Sequence, residues 1–142
     1  MTFQLRHQAW GLAAAIVGFV AYAIVIAVRA STDDAPLTQV AWQHPLQWFI
    51  GAGVAVYAII YAASWWSTRG AIRTDERDAE IGRRADSAGA GFAAIGAVVA
   101  MVLLTLNAEA FWVVHVLFVF TFLGSLASTG LTWAAYTNGL DQ

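Results

Sequence analysis

Four long apolar stretches divide this chain, and they constrain its fold more than any other feature. They cover about residues 8–28, 45–67, 87–106 and 110–136. An α-helix needs about 20 apolar residues to cross the hydrocarbon core of a bilayer. Because backbone groups in lipid must be hydrogen-bonded internally, helices are the expected form. The sequence therefore predicts an all-α integral membrane protein, with four transmembrane helices in an antiparallel bundle and a single domain over residues 1–142.

The composition agrees with a protein that is dissolved in lipid. Apolar residues make up 60% of the chain and charged residues 11%, whereas about a quarter of a typical soluble domain is charged. The chain has no cysteine, which excludes disulfides and thiolate metal sites. No basic face remains outside the apolar stretches, so a nucleic-acid partner is not expected. The predicted partners are the bilayer and other membrane helices.

The first apolar stretch also admits a second interpretation, as a signal peptide. Val28-Arg29-Ala30 loosely resembles a cleavage site. The apolar run before it is longer than the central region of a typical signal peptide. We therefore expect the first span to stay in the protein.

The arginines predict the orientation. In a four-span chain the N-terminus, the second loop and the C-terminus lie on one side of the membrane. That side holds six of the seven arginines, namely Arg6, Arg69, Arg73, Arg77, Arg83 and Arg84. The other side holds Arg29. Because Lys and Arg in short loops favour the cytoplasm, both termini are predicted to be cytoplasmic.

The tryptophans follow the same frame. The cytoplasmic ends of the spans carry Trp10, Trp65, Trp66 and Trp133, and the outer ends carry Trp42, Trp48 and Trp112. Tryptophan prefers membrane–water interfaces. All seven are predicted to belong to the aromatic belts.

Small residues at helical spacing predict where the helices touch, because close packing replaces the hydrophobic effect within lipid. The predicted stripes are Gly11, Ala14, Gly18 and Ala21 in the first span, Gly51 and Ala55 in the second, Ala85, Gly89, Ala93 and Gly96 in the third, and Gly124, Ser128 and Thr132 in the fourth. Ser125 and Thr129 lie beside the last stripe. The link between the third and fourth spans is so short that these two form a hairpin, with Asn107 predicted to cap the fourth helix.

His115 is the ionisable residue that lies within a span, and such a residue suggests function by default. One interpretation is a neutral histidine that is hydrogen-bonded inside the bundle. Another is a divalent-metal site with Glu109, because imidazole and carboxylate are metal ligands. A third is haem, held by His115 with His44 or by His115 from two chains. A fourth is a path for ions or solutes in a dimeric channel or transporter, lined by His115 and the serine and threonine face.

A concentrated run of charge precedes the third apolar stretch. Eight of the thirteen residues from 74 to 86 are charged, and Glu80 and Arg84 form a favourable pair at i,i+4 on a helix. The segment is therefore predicted to be the cytoplasmic start of the third helix. Its charges also suggest a docking site for a partner, formed by Asp75, Glu76, Arg77, Asp78 and Arg84. The other interpretation is a solvated helix start that pairs its own charges.

The same segment carries a resemblance. Asp75-Glu76-Arg77-Asp78, followed by Ile81, Arg84 and Ala85, resembles the DERD…I…RA signature of small bacterial four-span membrane proteins of unknown function, the DUF2178-like proteins. The match covers the centre of the chain. It implies the four-span architecture and a bacterial origin, and it implies no activity.

The functional prediction follows from these observations. No nucleophile with a base, phosphate-binding loop or HExxH pattern is present. We therefore expect a non-enzymatic protein of the bacterial inner membrane that needs no cofactor. It would act as an accessory or regulatory subunit, or as a homo-oligomer, through helix packing and the charged 74–86 segment. The dimeric channel or transporter and the haem or metal protein remain the alternatives.

Overall fold

The computed structural model describes residues 3–67 and 76–137 of the chain. These residues form four α-helices: α1 (Phe3–Thr32), α2 (Gln43–Ser67), α3 (Glu76–Thr105) and α4 (Ala110–Thr137). Each helix contains a segment long and apolar enough to cross a membrane. The fold is therefore all-helical, and the chain has the composition of a multi-pass membrane protein.

The helices are longer than the predicted apolar spans, most of all α3, which begins at Glu76 within the charged segment. At 1.5 Å per residue, the 30 residues of α3 are about 45 Å long, whereas the hydrocarbon core is about 30 Å thick. The excess length lies at the charged start, so residues 76–86 are a continuous part of α3, as predicted. Hydropathy marks the part of a helix that lies in lipid, and the helix itself ends where its backbone is capped.

The ends of α1 and α3 are capped by residues with a left-handed backbone. Asn107 has a φ of 54° and Asp34 a φ of 47°, a region that Asn and Asp tolerate better than most residues. After α3, the Ala108 N–H donates to the Leu103 carbonyl at 2.9 Å, which is the bond of a Schellman cap. The prediction that Asn107 caps α4 is wrong. Asn107 closes α3 instead.

Glu109 lies immediately before α4 and caps its first turn. The Glu109 carbonyl accepts from the Trp112 N–H at 3.0 Å and from the Val113 N–H at 3.5 Å, which makes Glu109 the N-cap by its backbone. Only residues 106–109 separate α3 from α4. The two helices are therefore forced into an antiparallel hairpin, as predicted.

Glycines set the spacing between α3 and α4. A Cβ on Gly124 would lie 2.7 Å from the Gly89 carbonyl oxygen, and one on Gly96 would lie 2.5 Å from the Cβ of Phe120. These are backbone and Cβ atoms, which cannot move aside easily. The predicted stripes meet where Gly89 approaches Gly124 and Ser128, whereas Gly96 approaches Phe120, outside the predicted stripe, and Ala93 is exposed. The contact is an example of close helix approach through small residues in lipid.

The glycines of the small-residue stripes of α1 and α2 mark no contact between helices within residues 3–67 and 76–137. A Cβ on Gly11, Gly18 or Gly51 would meet nothing within 4 Å. Instead, α1 meets α4 through rings, with Phe19 stacked on Phe122 at a centroid distance of 4.3 Å. The predicted packing faces of α1 and α2 were therefore wrong for the single chain, because aromatic side chains fill the α1–α4 contact.

The helices form a row rather than a closed bundle. Within the described residues, the helix pairs that approach closely are α3 with α4, α1 with α2, and α1 with α4. The order across the row is α2, α1, α4, α3. The helices run between two ends of the molecule. At the loop end, residues 33–42 and 106–109 connect the helices, and the opposite end is the terminal end. The antiparallel packing was predicted, but the closing contact between α2 and α3 is not found within the described part of the chain.

A buried cluster lies at the loop end. It consists of Tyr22, Ile26, Trp42, Leu46 and Phe111, with Phe49, Val114 and Phe118 packed against it. Residues from α1, α2 and α4 meet here. The cluster is therefore the place where the two hairpins, α1–α2 and α3–α4, are joined.

Trp42 belongs to this cluster and differs in burial from the other tryptophans. It is 8% exposed, whereas the six other tryptophans are 48–78% exposed. The return of residues 33–42 towards α2 places the Trp42 ring on Phe111 and His115, inside the chain and not on its lipid-facing surface. Arg29 holds this return in place, since its guanidinium donates to the Ala41 carbonyl at 2.8 Å.

Candidate functional site

His115 makes a hydrogen bond through each of its ring nitrogens. Nδ1 lies 2.6 Å from the carbonyl oxygen of Phe111, one turn earlier on α4. Nε2 lies 2.6 Å from the hydroxyl oxygen of Tyr22 on α1. The site therefore links α4 to α1 by a side-chain hydrogen bond between residues 93 positions apart.

The partners determine where the imidazole proton lies. A carbonyl oxygen can only accept, so the Nδ1 of His115 carries the hydrogen and donates it to Phe111. In a neutral imidazole the other nitrogen is then an acceptor. The Tyr22 hydroxyl accordingly donates to Nε2. This arrangement satisfies a neutral His115 completely.

Aromatic rings surround the pair. The Phe111 ring stacks on the His115 ring at a centroid distance of 3.9 Å, and the Trp42 ring meets it edge-on at 5.4 Å. On the other side, Phe49 and Phe118 lie edge-on against Tyr22 at 5.7 and 5.4 Å. In such apolar surroundings an unpaired polar group is costly. The hydrogen bond between Tyr22 and His115 therefore holds α1 against α4 at a fixed position along the helix axes.

Local sequence explains how these groups meet. Phe111 and His115 are four residues apart, which places them one above the other on a helix. Tyr22 lies seven residues before Arg29 on α1, and Arg29 holds the return of the loop that carries Trp42. The spacing on α4 and the anchored loop together bring the tyrosine, histidine and tryptophan into one cluster.

The residues predicted to share a cofactor or metal with His115 lie in different surroundings. His44 is exposed in the first turn of α2, and Glu109 is exposed at the N-cap of α4. No group of three or more His, Cys, Asp or Glu side chains able to hold a metal ion lies within residues 3–67 and 76–137. With the proton on Nδ1, Tyr22 donates to the Nε2 lone pair that a metal or a haem iron would need. These contacts favour the interpretation of His115 as a hydrogen-bonded histidine.

A titration with Zn²⁺ tests this interpretation. We expect His115→Phe and the unmodified protein to bind Zn²⁺ with the same apparent affinity, because the imidazole nitrogens are already used. Isothermal titration of detergent-solubilised protein is the measurement, and His44→Phe is the control for an exposed imidazole. Loss of a stoichiometric site in His115→Phe alone would show that a metal displaces Tyr22.

Hydroxyl groups of α4 are used within their own helix. Thr121 donates to the Leu117 carbonyl at 2.8 Å, Ser125 to Thr121 at 3.2 Å, and Thr132 to Ser128 at 3.0 Å. Thr132 is also buried, at 2% exposure. Hydroxyls bonded to the carbonyl four residues earlier are common in membrane helices, so these groups serve the helix backbone. These hydroxyl groups therefore give no support to the alternative in which the protein is a channel with a polar path along α4.

The charged start of α3 contains a three-residue ion pair. Glu80 accepts from Arg84 at 2.8 Å through one carboxylate oxygen and from Arg83 through the other. Both arginine side chains are about two-thirds or more exposed. Of the predicted docking residues, Arg84 is described in full. Asp75 and the side chains of Glu76, Arg77 and Asp78 lie outside the described residues.

Sequence reasoning found His115 but missed its partners Tyr22 and Trp42. A signal for Tyr22 was present, because a tyrosine deep within a span must place its hydroxyl on a partner when it is buried. Trp42 resembled an interfacial residue by its position. Neither residue could be paired with His115 without knowing that α1 lies beside α4.

Comparison of the chain with protein-family models, with curated proteins and with solved structures found no match. The resemblance to the DUF2178-like proteins thus remains a prediction from the charged motif. The candidate site must be judged on its own geometry.

Proposed function

We propose that this protein is a non-enzymatic accessory or regulatory subunit of the bacterial inner membrane, with both termini in the cytoplasm. It works by binding other membrane helices, in a second copy or in another protein, and by docking through the charged 74–86 segment. The observation that carries the proposal is the open row of helices. Because α2 approaches only α1 within the described residues, its remaining faces are available for other helices.

The unused glycines support this proposal. Among the described residues, Gly11 and Gly18 on α1, and Gly51 and Gly53 on α2, have open space where a Cβ would lie. Within the same chain, Gly89, Gly96 and Gly124 show how closely two helices approach through glycine. The open glycines of α1 and α2 offer the same kind of close approach to a helix of another chain.

The ion pairs of α3 support the docking part of the proposal. Exposed salt bridges contribute only about 0–1 kcal/mol to folding, so stability alone does not account for the charge in this segment. Orientation requires the arginines but not the acidic residues. A surface with both signs of charge suits recognition, because complementary charges determine which partner is accepted.

Native mass spectrometry in mild detergent tests the proposal. We expect the protein to appear as an oligomer or with a co-purifying partner, and Arg84→Ala to weaken this association about tenfold, as the loss of a paired interfacial charge does. A strictly monomeric, partner-free protein would contradict the subunit function.

Arg83→Ala is the matched control. Like Arg84→Ala, it removes one positive charge and one salt bridge to Glu80. Because Arg83 is one position earlier on α3, its side chain points about 100° away around the helix. We expect it to weaken association much less. Equal losses in the two variants would mean that net charge, and not a docking face containing Arg84, governs association.

A further inference from the structure

Burial is distributed very unevenly along the two hairpins. In α1 the buried residues with described side chains are Tyr22 and Ile26, and in α2 they are Pro45 and Leu46. All four lie towards the loop end. From Gly51 to Ile59 every residue of α2 is exposed. The burial of α1 and α2 is thus concentrated towards the loop end.

The other hairpin is packed along its whole described length. Ile81 and Ala85 are buried at the terminal end of α3, and Ala100 is buried near the loop end. The close contacts of Gly89 and Gly96 with α4 lie between them. α3 and α4 therefore form one rigid unit, because close packing transmits any displacement of one helix to the other.

The seam between the hairpins runs from the loop end to the middle of the helices. His115 meets Tyr22 near the loop end, and Phe118 and Phe122 both stack on Phe19 further along. Aromatic stacks can slide and tilt at small cost, whereas a hydrogen bond has a strict geometry. Among the contacts of the seam within residues 3–67 and 76–137, the bond between Tyr22 and His115 is the one with a strict direction.

We propose that the two hairpins are bodies that pivot about a joint at the loop end, and that the Tyr22–His115 hydrogen bond holds this joint. The pivot changes the separation of α1 and α4 at the terminal end and leaves the α3–α4 packing unchanged. This inference goes beyond the proposed function and does not depend on it. It gives the fold a built-in movement that membrane helices or lipids beside α2 can bias.

The absence of cysteine makes the movement measurable. Spin labels on Ser31→Cys and Glu109→Cys report the distance between α1 and the start of α4 at the loop end. Labels on Ala13→Cys and Leu131→Cys report the distance between α1 and α4 at the terminal end. All four positions are exposed. Pulsed electron–electron double resonance of the full chain in lipid nanodiscs gives both distance distributions. We expect the terminal-end distribution to be about twice as wide as the loop-end one, since weakly packed regions open most readily.

Removal of the tyrosine hydroxyl tests the joint itself. Tyr22→Phe should widen the loop-end distribution towards the width at the terminal end, and the control Tyr61→Phe, which removes a hydroxyl from an exposed position of α2, should leave both distributions unchanged. If Tyr22→Phe does not insert as a helical protein, His115→Phe removes the same bond from the other side. Equal widths at the two ends of the unmodified chain would overturn the pivot. An unchanged loop-end width in the variant would overturn the role of the bond.

Discussion

Gly124→Ala should destabilise the α3–α4 hairpin by about 1–3 kcal/mol, the usual cost of forcing extra volume into a packed contact. The added methyl group would lie 2.7 Å from the Gly89 carbonyl oxygen. Since that oxygen belongs to a helix backbone, α3 and α4 must separate to accept it. The measurement is the free energy of unfolding in mixed micelles, with helical circular dichroism as the signal.

Gly130→Ala is the control for this prediction. It makes the same change six residues later in α4, where a Cβ would meet no atom of the described part of the chain within 4 Å. Since alanine favours a helix more than glycine does, we expect no loss of stability. Destabilisation of similar size in both variants would show that the close approach of the backbones at Gly124 does not explain the first result.

His115→Ala should destabilise the protein by about 3 kcal/mol, because it leaves a cavity and an unsatisfied buried hydroxyl on Tyr22. His44→Ala, at an exposed position, should change stability little. The same unfolding measurement compares the two variants. Similar losses for His44→Ala and His115→Ala would contradict a special role for the site.

A double-mutant cycle isolates the hydrogen bond. Tyr22→Phe removes the donor and keeps the ring, so the cost of His115→Ala should fall by about 1 kcal/mol in the Tyr22→Phe background. Additive effects of the two substitutions would mean that Tyr22 and His115 contribute independently, through packing alone.

Some of the candidate site could be predicted from the sequence. His115 stands out because an imidazole within an apolar span is expensive unless it is paired. One interpretation of it, as a hydrogen-bonded histidine, agrees with the contacts to Phe111 and Tyr22. The identity of the donor could not be predicted, because Tyr22 is 93 residues away and hydropathy says nothing about which helices are neighbours.

The tryptophans show the same difference between what the sequence predicts and what it cannot predict. Six of them are exposed and agree in burial with an interfacial position. Trp42 also lies near the end of an apolar span, yet its ring is buried against the rings of His115 and Phe111. Its burial depends on the return of residues 33–42, which Arg29 and Ala41 hold in place. A long-range contact of this kind has no periodic signal.

The sequence by itself determined the four apolar helices, the helical character of residues 76–86 and the α3–α4 hairpin. These features follow from local causes: hydropathy, helix spacing and a link of four residues. Only the tertiary structure decided which small residues meet, why Gly124 is packed while Gly18 is open, and that the helices form an open row joined at Tyr22 and His115. The physical reason is that lipid solvates every apolar helix face equally well, so the choice of neighbours rests on shape and on single polar contacts between distant residues.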